Sequence, residues 1–251
     1  MKFNILTLFP EMYKPLEESI IKIAREKSLI EIELINIRDF SENKHNKVDD
    51  TPYGGGSGMV MKADVLKRAL DSVLEKKTKK QKTKVIYLSP KGKILNQEKV
   101  KKLSKEKSLI LIAGHYEGID QRFIDKYVDE EISIGDYILT GGELPSMILV
   151  DSISRMVKGV LSEGSLENET FENYLLEYPQ YTRPLVFENV EVPNVLVSGN
   201  HKEIEKFRRK AALKETYIKR KDLIKKAKTN NLLTKDDEKY LEELKKEKED
   251  K

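Results

Sequence analysis

The chain of 251 residues contains no cysteine. Disulfides, thiolate zinc sites and thiol nucleophiles are therefore excluded together. No apolar run approaches the roughly 18 residues of a membrane-spanning helix. The opening MKFNILTLFPEMY reaches proline and acid too early for a signal peptide. A cytoplasmic protein with no membrane partner is the expectation. Histidine is scarce too: His45, His115 and His201 lie far apart and in no metal-ligand spacing. There is no G-x-x-x-x-G-K-[ST] and no G-x-S-x-G, and GGGSGMVMK lacks G-x-G-x-x-G spacing. What remains favours a ligand held by backbone groups over one held by a metal or a cage of charge.

Charge is present but uneven. The net charge is +4, yet residues 201–230 carry twelve Lys or Arg against four Asp or Glu. This helix-prone stretch, HKEIEKFRRKAALKETYIKRKDLIKKAK, reads either as a solvated face or as a surface for a polyanion. Its local density favours the polyanion.

Along the chain, KFNILTLF (2–9) reads as a buried strand, Glu11 to about Lys27 as a helix and EIELINI (31–37) as a second strand. RDFSENKHNKVDDTPYGGGSG (38–58) reads as a long loop and ADVLKRALDSVLEK (63–76) as a helix, followed by an exposed lysine-rich turn. KVIYLSP (84–90) and SLILIAG (108–114) are continuous apolar runs, as in parallel strands covered on both faces, with a short helix between them. Strands alternating with helices over 1–157 predict an α/β domain with a mostly parallel sheet. Ligands bind beyond the carboxyl ends of such strands. YLSPKG (87–92), AGHYEGID (113–120) and SIGDYILTGGELP (133–145) place turn chemistry there.

LPSMILVDSISRMV (144–157) starts with Pro145 near a helix start and is apolar nearly all round, with Asp151 and Arg155 on one polar strip. Such a helix is expected to be buried, and near a domain end it points to a subunit interface and a homodimer. Residues 158–174 lose periodicity and read as an interdomain linker. Residues 175–251 read as a small, helical, basic domain ending in a helix over about 234–248.

The stretch SIGDYILTGGELPSM (133–147) interrupts an apolar run with Gly135, Gly141, Gly142 and Pro145. Glycines weaken strands and helices, so bare backbone is needed there for another reason. An uncharged or zwitterionic adenosine ligand suits such a site, because main-chain groups can reach an adenine edge and no phosphate needs neutralising.

DDTPYGGGSGM (49–59), YLSPKG, GHYEGID, SIGDYILTGGELP and YPQYTRP, in this order and spacing, resemble the bacterial tRNA (guanine-N1)-methyltransferases that modify guanine 37. These belong to the knotted SPOUT class. The resemblance runs from Met1 to about Leu233. It implies a deep trefoil knot, a homodimer, S-adenosylmethionine bent between the knot loops, and use of magnesium, although the chemistry does not itself demand a metal.

Carried over by motif, the resemblance implies a cofactor site built from Tyr87, Leu88, Ser89 and Pro90; from Gly114, Tyr116 and Glu117; and from Ile134, Gly135, Asp136, Tyr137, Ile138, Leu139, Gly141, Gly142 and Pro145. The family's general base is an aspartate in the linker followed by Ser-Phe. The matching NETF (168–171) puts Glu169 there, with Thr170 in place of serine. Glu177 is the second acidic candidate, and Arg155 would stabilise charge on the guanine O6. Glu117 would help recognise guanine 36 beside the target, with Asp50 in the same neighbourhood. Arg183, Lys206, Arg208 and Arg209 would contact tRNA phosphates, together with Lys202, Lys210, Lys214, Lys219, Arg220 and Lys221. A base on a polar linker implies induced fit, the linker becoming ordered as tRNA docks. The alternatives are a knotted methyltransferase of different RNA specificity and a tRNA-binding protein without catalysis.

Overall fold

The computed structural model describes residues 1–75, 83–162, 165, 169–171 and 173–249. The lysine-rich turn after residue 75 lies outside them. The chain divides into two compact units, Met1–Ser162 and Glu163–Lys251.

In the first unit, β1 (Lys2–Thr7), β2 (Glu31–Asn36), β3 (Asp49–Asp50), β4 (Val60–Met61), β5 (Lys84–Ile94), β6 (Ser108–Ala113) and β7 (Glu130–Ser133) alternate with α1 (Ser19–Glu26), α2 (Ala63–Leu74), α3 (Gln97–Leu103), α4 (Gln121–Tyr127) and α5 (Glu143–Arg155). Five strands form one sheet in the order β2-β1-β6-β5-β7, and every pairing in it is parallel. The α/β fold with a parallel sheet is thus as the sequence predicts.

The period-two alternation of strand side chains sorts the core into two layers. Phe3, Ile5, Ile86, Leu88, Leu109 and Leu111 face one layer, covered by α1, α3 and α5. Leu6, Val85, Tyr87, Ile110 and Ile112 face the other, covered by α2 and α4. Where both faces are covered, in β6 and the first half of β5, the strand is apolar nearly throughout, whereas the edge strand β2 alternates in polarity.

Four local expectations are corrected. The helix expected over 11–27 is a 3-10 segment, Pro10–Glu17, followed by α1. Pro15 lies inside that segment and supplies no N–H to an α-helical ladder. The loop 38–58 holds a second 3-10 turn, Ile37–Phe40, and one strand of the small β3–β4 pair. Strand β5 runs on to Ile94: β7 pairs with Ile86–Leu88 and again with Lys93–Ile94, so the residues between them bulge out. Helix α5 is not buried all round. It packs Leu149, Val150 and Ile153 into the core, whereas Leu144 and Ile148, one turn apart on the opposite face, are 47% and 46% exposed, because the elements of the first unit that pack on α5 cover its other side.

The second unit holds the hairpin β8 (Val186–Phe187) and β9 (Val190–Glu191), then α6 (Asn194–Val197), α7 (His201–Lys219), α8 (Lys221–Thr229) and α9 (Lys235–Glu249). Its core includes Leu175, Ala212, Leu213, Leu223, Ala227 and Leu244. The basic stretch that reads as one helix is broken at Arg220, whose backbone leaves the helical region (φ −144°, ψ 65°). Its guanidinium turns onto Asp222, with contacts of 2.8 and 2.7 Å.

Candidate functional site

The strand order explains where the first site sits. Strands β6, β5 and β7 are neighbours, so the loops leaving their carboxyl ends converge although they are far apart in sequence. They enclose a cleft of about 250 Å³. Tyr87, Leu88, Ser89 and Pro90 line it from β5, and Gly114, Tyr116 and Glu117 from the loop after β6. Ile134, Gly135, Tyr137, Ile138, Leu139, Gly141, Gly142 and Pro145 complete it from the segment after β7. Asp136 belongs to the same motif, but it is exposed and does not line the cleft. His115, Gly118, Ile132, Ser133 and Thr140 line it as well, beyond the expected set.

The segment 134–142 runs back past the end of β5 to reach the loop after β6. There the Gly142 N–H donates to the Gly114 carbonyl at 2.7 Å, and His115 and Gly141 form an antiparallel bridge. A β-carbon on Gly142 would lie 2.7 Å from the Ala113 Cα and 2.8 Å from the Gly114 nitrogen, both immovable backbone. Bare backbone is needed at this position because two loops touch there. On the floor of the cleft, burial pushes the Tyr87 phenol up to about 12, with the Glu131 carboxylate adding to the shift. The ring is thus a neutral wall at physiological pH.

Gly58 packs beside Glu117, which stays exposed. A β-carbon on Gly58 would meet the Glu117 Oε1 at 2.5 Å, and the Glu117 N–H donates to the Met59 carbonyl at 3.0 Å. Asp50 is placed elsewhere, in a separate groove with Tyr53, Lys62, Arg122 and Tyr127. The Thr51 N–H and then Lys47, at 3.1 Å, hold its carboxyl below the usual carboxylate range. Arg155 ends α5 and is absent from the cleft lining.

In the second unit, Glu169 and Glu177 line one cavity of about 330 Å³ with Tyr178, Glu205, Arg208 and Arg209. Residues 163, 164, 166–168 and 172, part of the expected linker, lie outside the described set. Thr170 keeps the hydroxyl expected beside the base: its Oγ1 accepts from the Glu177 N–H at 3.1 Å. Gln180 donates to the Glu177 Oε1 at 2.7 Å, so the Glu177 carboxylate already has a partner. Arg183 lies in an adjoining groove with Tyr181, Leu185 and Val197.

The basic stretch is less available than its composition implies. Arg209 forms a bidentate pair with the nearly buried Asp237 on α9, at 3.2 and 2.8 Å, and also donates to the Leu232 carbonyl. Lys219 pairs with Glu215. Lys210 and Lys221 lie over the rings of Tyr240 and Tyr217, both at 5.0 Å. Arg208 stacks over Tyr178 at 4.9 Å while remaining exposed, and Lys202, Lys206 and Lys214 are exposed.

Burial opposes ionisation of Asp237. The Arg209 hydrogen bonds and the Thr234 N–H outweigh burial and hold the carboxyl below its usual range. The resulting stabilisation is complete at neutral pH and is lost as the pH falls through the depressed folded-state value. Arg209→Ala is therefore expected to destabilise this unit by about 2–3 kcal/mol at neutral pH. The difference from the parent should shrink toward about pH 3, as read from urea unfolding.

The family described as "tRNA (Guanine-1)-methyltransferase TrmD" matches residues 1–226 of this chain. A tRNA (guanine-N(1)-)-methyltransferase of Alkaliphilus oremlandii is 51% identical over 250 residues, covering 98% of this chain and 99% of the relative. Its counterpart in Ruminiclostridium cellulolyticum is 54% identical over 235 residues, covering 93% and 100%. That of Clostridioides difficile is 52% identical over 229 residues, covering 90% and 99%.

Proposed function

Because this chain belongs to the tRNA (guanine-1)-methyltransferase family, we propose that it methylates N1 of guanine 37 in tRNA, using S-adenosylmethionine held in the cleft of the first unit and Glu169 as general base. The observation that carries this reading is the cleft lining. It is rich in backbone and apolar side chains, and it includes no lysine or arginine. A polyphosphate cofactor would find no countercharge there, whereas an adenosine carrying a zwitterionic chain needs none. S-adenosylmethionine supplies a methyl group on a cationic sulfur, electrophilic without further activation. The glycine contact at 114 and 142 leaves main-chain groups open toward the adenosine, and Tyr87 to Pro90 would form the opposite wall.

The remaining work falls to side chains. Guanine N1 is a poor nucleophile while it carries its proton, so a base must remove that proton as the new bond forms. Glu169 has the charge and reach for this. Arg155 would offset the negative charge that builds on O6. Glu117 can accept from the Watson–Crick edge of guanine 36; Asp50, in its separate groove, is the weaker candidate for this role. The target base must leave its stack, since N1 is inaccessible within it. Induced fit would let the docking of tRNA bring the base to its proton.

The same reading extends to the assembly. The exposed Leu144 and Ile148 support a second copy of the chain over α5 in a homodimer. The return of 134–142 past the end of β5 supports a knotted chain path, and a tRNA substrate supports a cytoplasmic location. Among the described residues no helix is long and apolar enough to cross a membrane. Nor does any group of three His, Asp or Glu among them come together as a metal site.

Incubation with labelled S-adenosylmethionine and unmodified tRNA, followed by mass identification of the nucleosides, tests the proposal. 1-Methylguanosine is expected; label on a ribose hydroxyl or on another base would contradict it. Arg208, Lys202, Lys206 and Lys214 are exposed and would meet phosphates. With about four such contacts, tRNA affinity should fall on the order of a hundredfold between about 50 and 200 mM salt. Filter binding across that range reads it, and a flat profile would contradict the assignment.

A further inference from the structure

Behind the cleft lies a buried acid that the proposed reaction does not use. Glu143, the first residue of α5, is only 2% exposed. Its Oε1 accepts from the Thr7 hydroxyl at the end of β1, at 3.1 Å. That hydroxyl is in turn fixed by the Phe9 N–H at 3.0 Å. The other oxygen, Oε2, faces the His115 Nδ1 at 3.8 Å. This nitrogen is buried and has no hydrogen-bond partner. A buried carboxylate with one hydroxyl donor is under-satisfied, even with the α5 N-terminus offsetting part of the cost. A buried unpaired imidazole nitrogen is a second such debt, and the two face each other.

What lies between them gives the pair its meaning. A β-carbon on Gly141 would fall 2.3 Å from the Glu143 Oε2 and 2.5 Å from the His115 Nδ1. The carboxylate oxygen and the imidazole nitrogen thus both crowd the space beside the α-carbon of a cleft-lining residue. The His115 ring is also held edge-on between Phe9 and Tyr116, each at 5.1 Å, and Tyr116 is a second wall of the cleft, in a left-handed conformation (φ 61°). One step further back, Tyr13 donates to the Ser146 hydroxyl at 2.7 Å, which bonds to the Glu143 carbonyl at 2.7 Å. The Glu143 main chain is therefore anchored from behind, while its carboxylate and the His115 imidazole stop short of a hydrogen bond.

We propose that His115 and Glu143 are positioning residues that form a latch across Gly141. When ligand fills the cleft, the His115 Nδ1–H donates to the Glu143 Oε2, and this bond fixes the loops 114–118 and 134–142 against each other. The 3.8 Å separation is the open latch; closing it by about 1 Å gives an ordinary charge-assisted hydrogen bond. The proposal rests on the reading of this cleft as the S-adenosylmethionine site. Neither residue touches the reacting atoms, so the latch acts on cofactor affinity rather than on the chemical step.

The test compares the parent with His115→Ala, His115→Asn, Glu143→Ala and the double His115→Ala/Glu143→Ala. Calorimetry gives the dissociation constant for S-adenosylmethionine, and steady-state methylation of tRNA gives the KM-against-kcat split. Asparagine presents an N–H where the imidazole Nδ1 stands. His115→Ala should weaken cofactor binding about tenfold and raise its KM in step, with a smaller effect on kcat. His115→Asn should recover most of that loss, and the double variant should bind no more weakly than the worse single one. If Glu143→Ala does not fold, the alanine–asparagine comparison decides. Equal losses in His115→Ala and His115→Asn, or parent-like affinity in His115→Ala, would overturn the latch alone. A parent that binds no S-adenosylmethionine would overturn the cofactor reading and the latch with it.

Discussion

Glu169→Gln should slow methyl transfer to tRNA about a thousandfold in single-turnover measurements, while tRNA affinity stays within a few-fold of the parent. The amide keeps the size and polarity of the side chain and removes only its capacity to take a proton. An N1–H that must leave during bond formation then has no acceptor. Glu169→Asp should retain most of the rate, because the resemblance places an aspartate at this position. Glu177→Gln should have a much smaller effect, since the Glu177 carboxylate is already engaged by Gln180 at 2.7 Å. If Glu177→Gln proved the more damaging of the two, the base would have to be reassigned to the neighbour that lines the same cavity.

Gly142→Ala should weaken S-adenosylmethionine binding by at least about a hundredfold. An added methyl would stand 2.7–3.0 Å from three backbone atoms of Ala113 and Gly114, and backbone in a parallel strand cannot yield as a side-chain tip can. The contact would open, breaking the 2.7 Å hydrogen bond from Gly142 to Gly114 and with it the wall shared by both loops. Calorimetric titration reads the affinity, and circular dichroism checks that the sheet is retained. Binding equal to the parent would show that the touching loops have no part in holding the cofactor.

The fold was legible because its strands are long apolar runs ending in glycine or proline. The convergence of the three loops was not, since it depends on β5 lying between β6 and β7, a pairing that no local pattern encodes. Once the order is known, fifteen of the sixteen motif positions line one cleft, and Asp136 alone points out of it. The pairing of His115 with Glu143 is not legible in the sequence, where His115 is considered only as a metal ligand and Glu143 is not singled out. An acid at the start of an otherwise apolar helix was the available signal.

The basic stretch misled in a different way. Its composition counts charges but not their partners, and Asp237, which takes up Arg209, lies 28 residues downstream. A helical wheel likewise showed α5 to be apolar all round without showing that one chain covers only one side of it. Leu144 and Ile148 stay exposed on the other side, the face proposed for a partner copy.

One measurement reaches the centre of the proposal. Two tRNAs identical except for guanine or adenine at position 37, both with guanine at 36, would be incubated with the parent protein and with Glu169→Gln. The methylated nucleoside would then be mapped by mass. 1-Methylguanosine at position 37 in the first tRNA, none in the second and a rate about a thousandfold lower in the variant is the expected pattern. Equal methylation of both tRNAs, or a variant as fast as the parent, would contradict it.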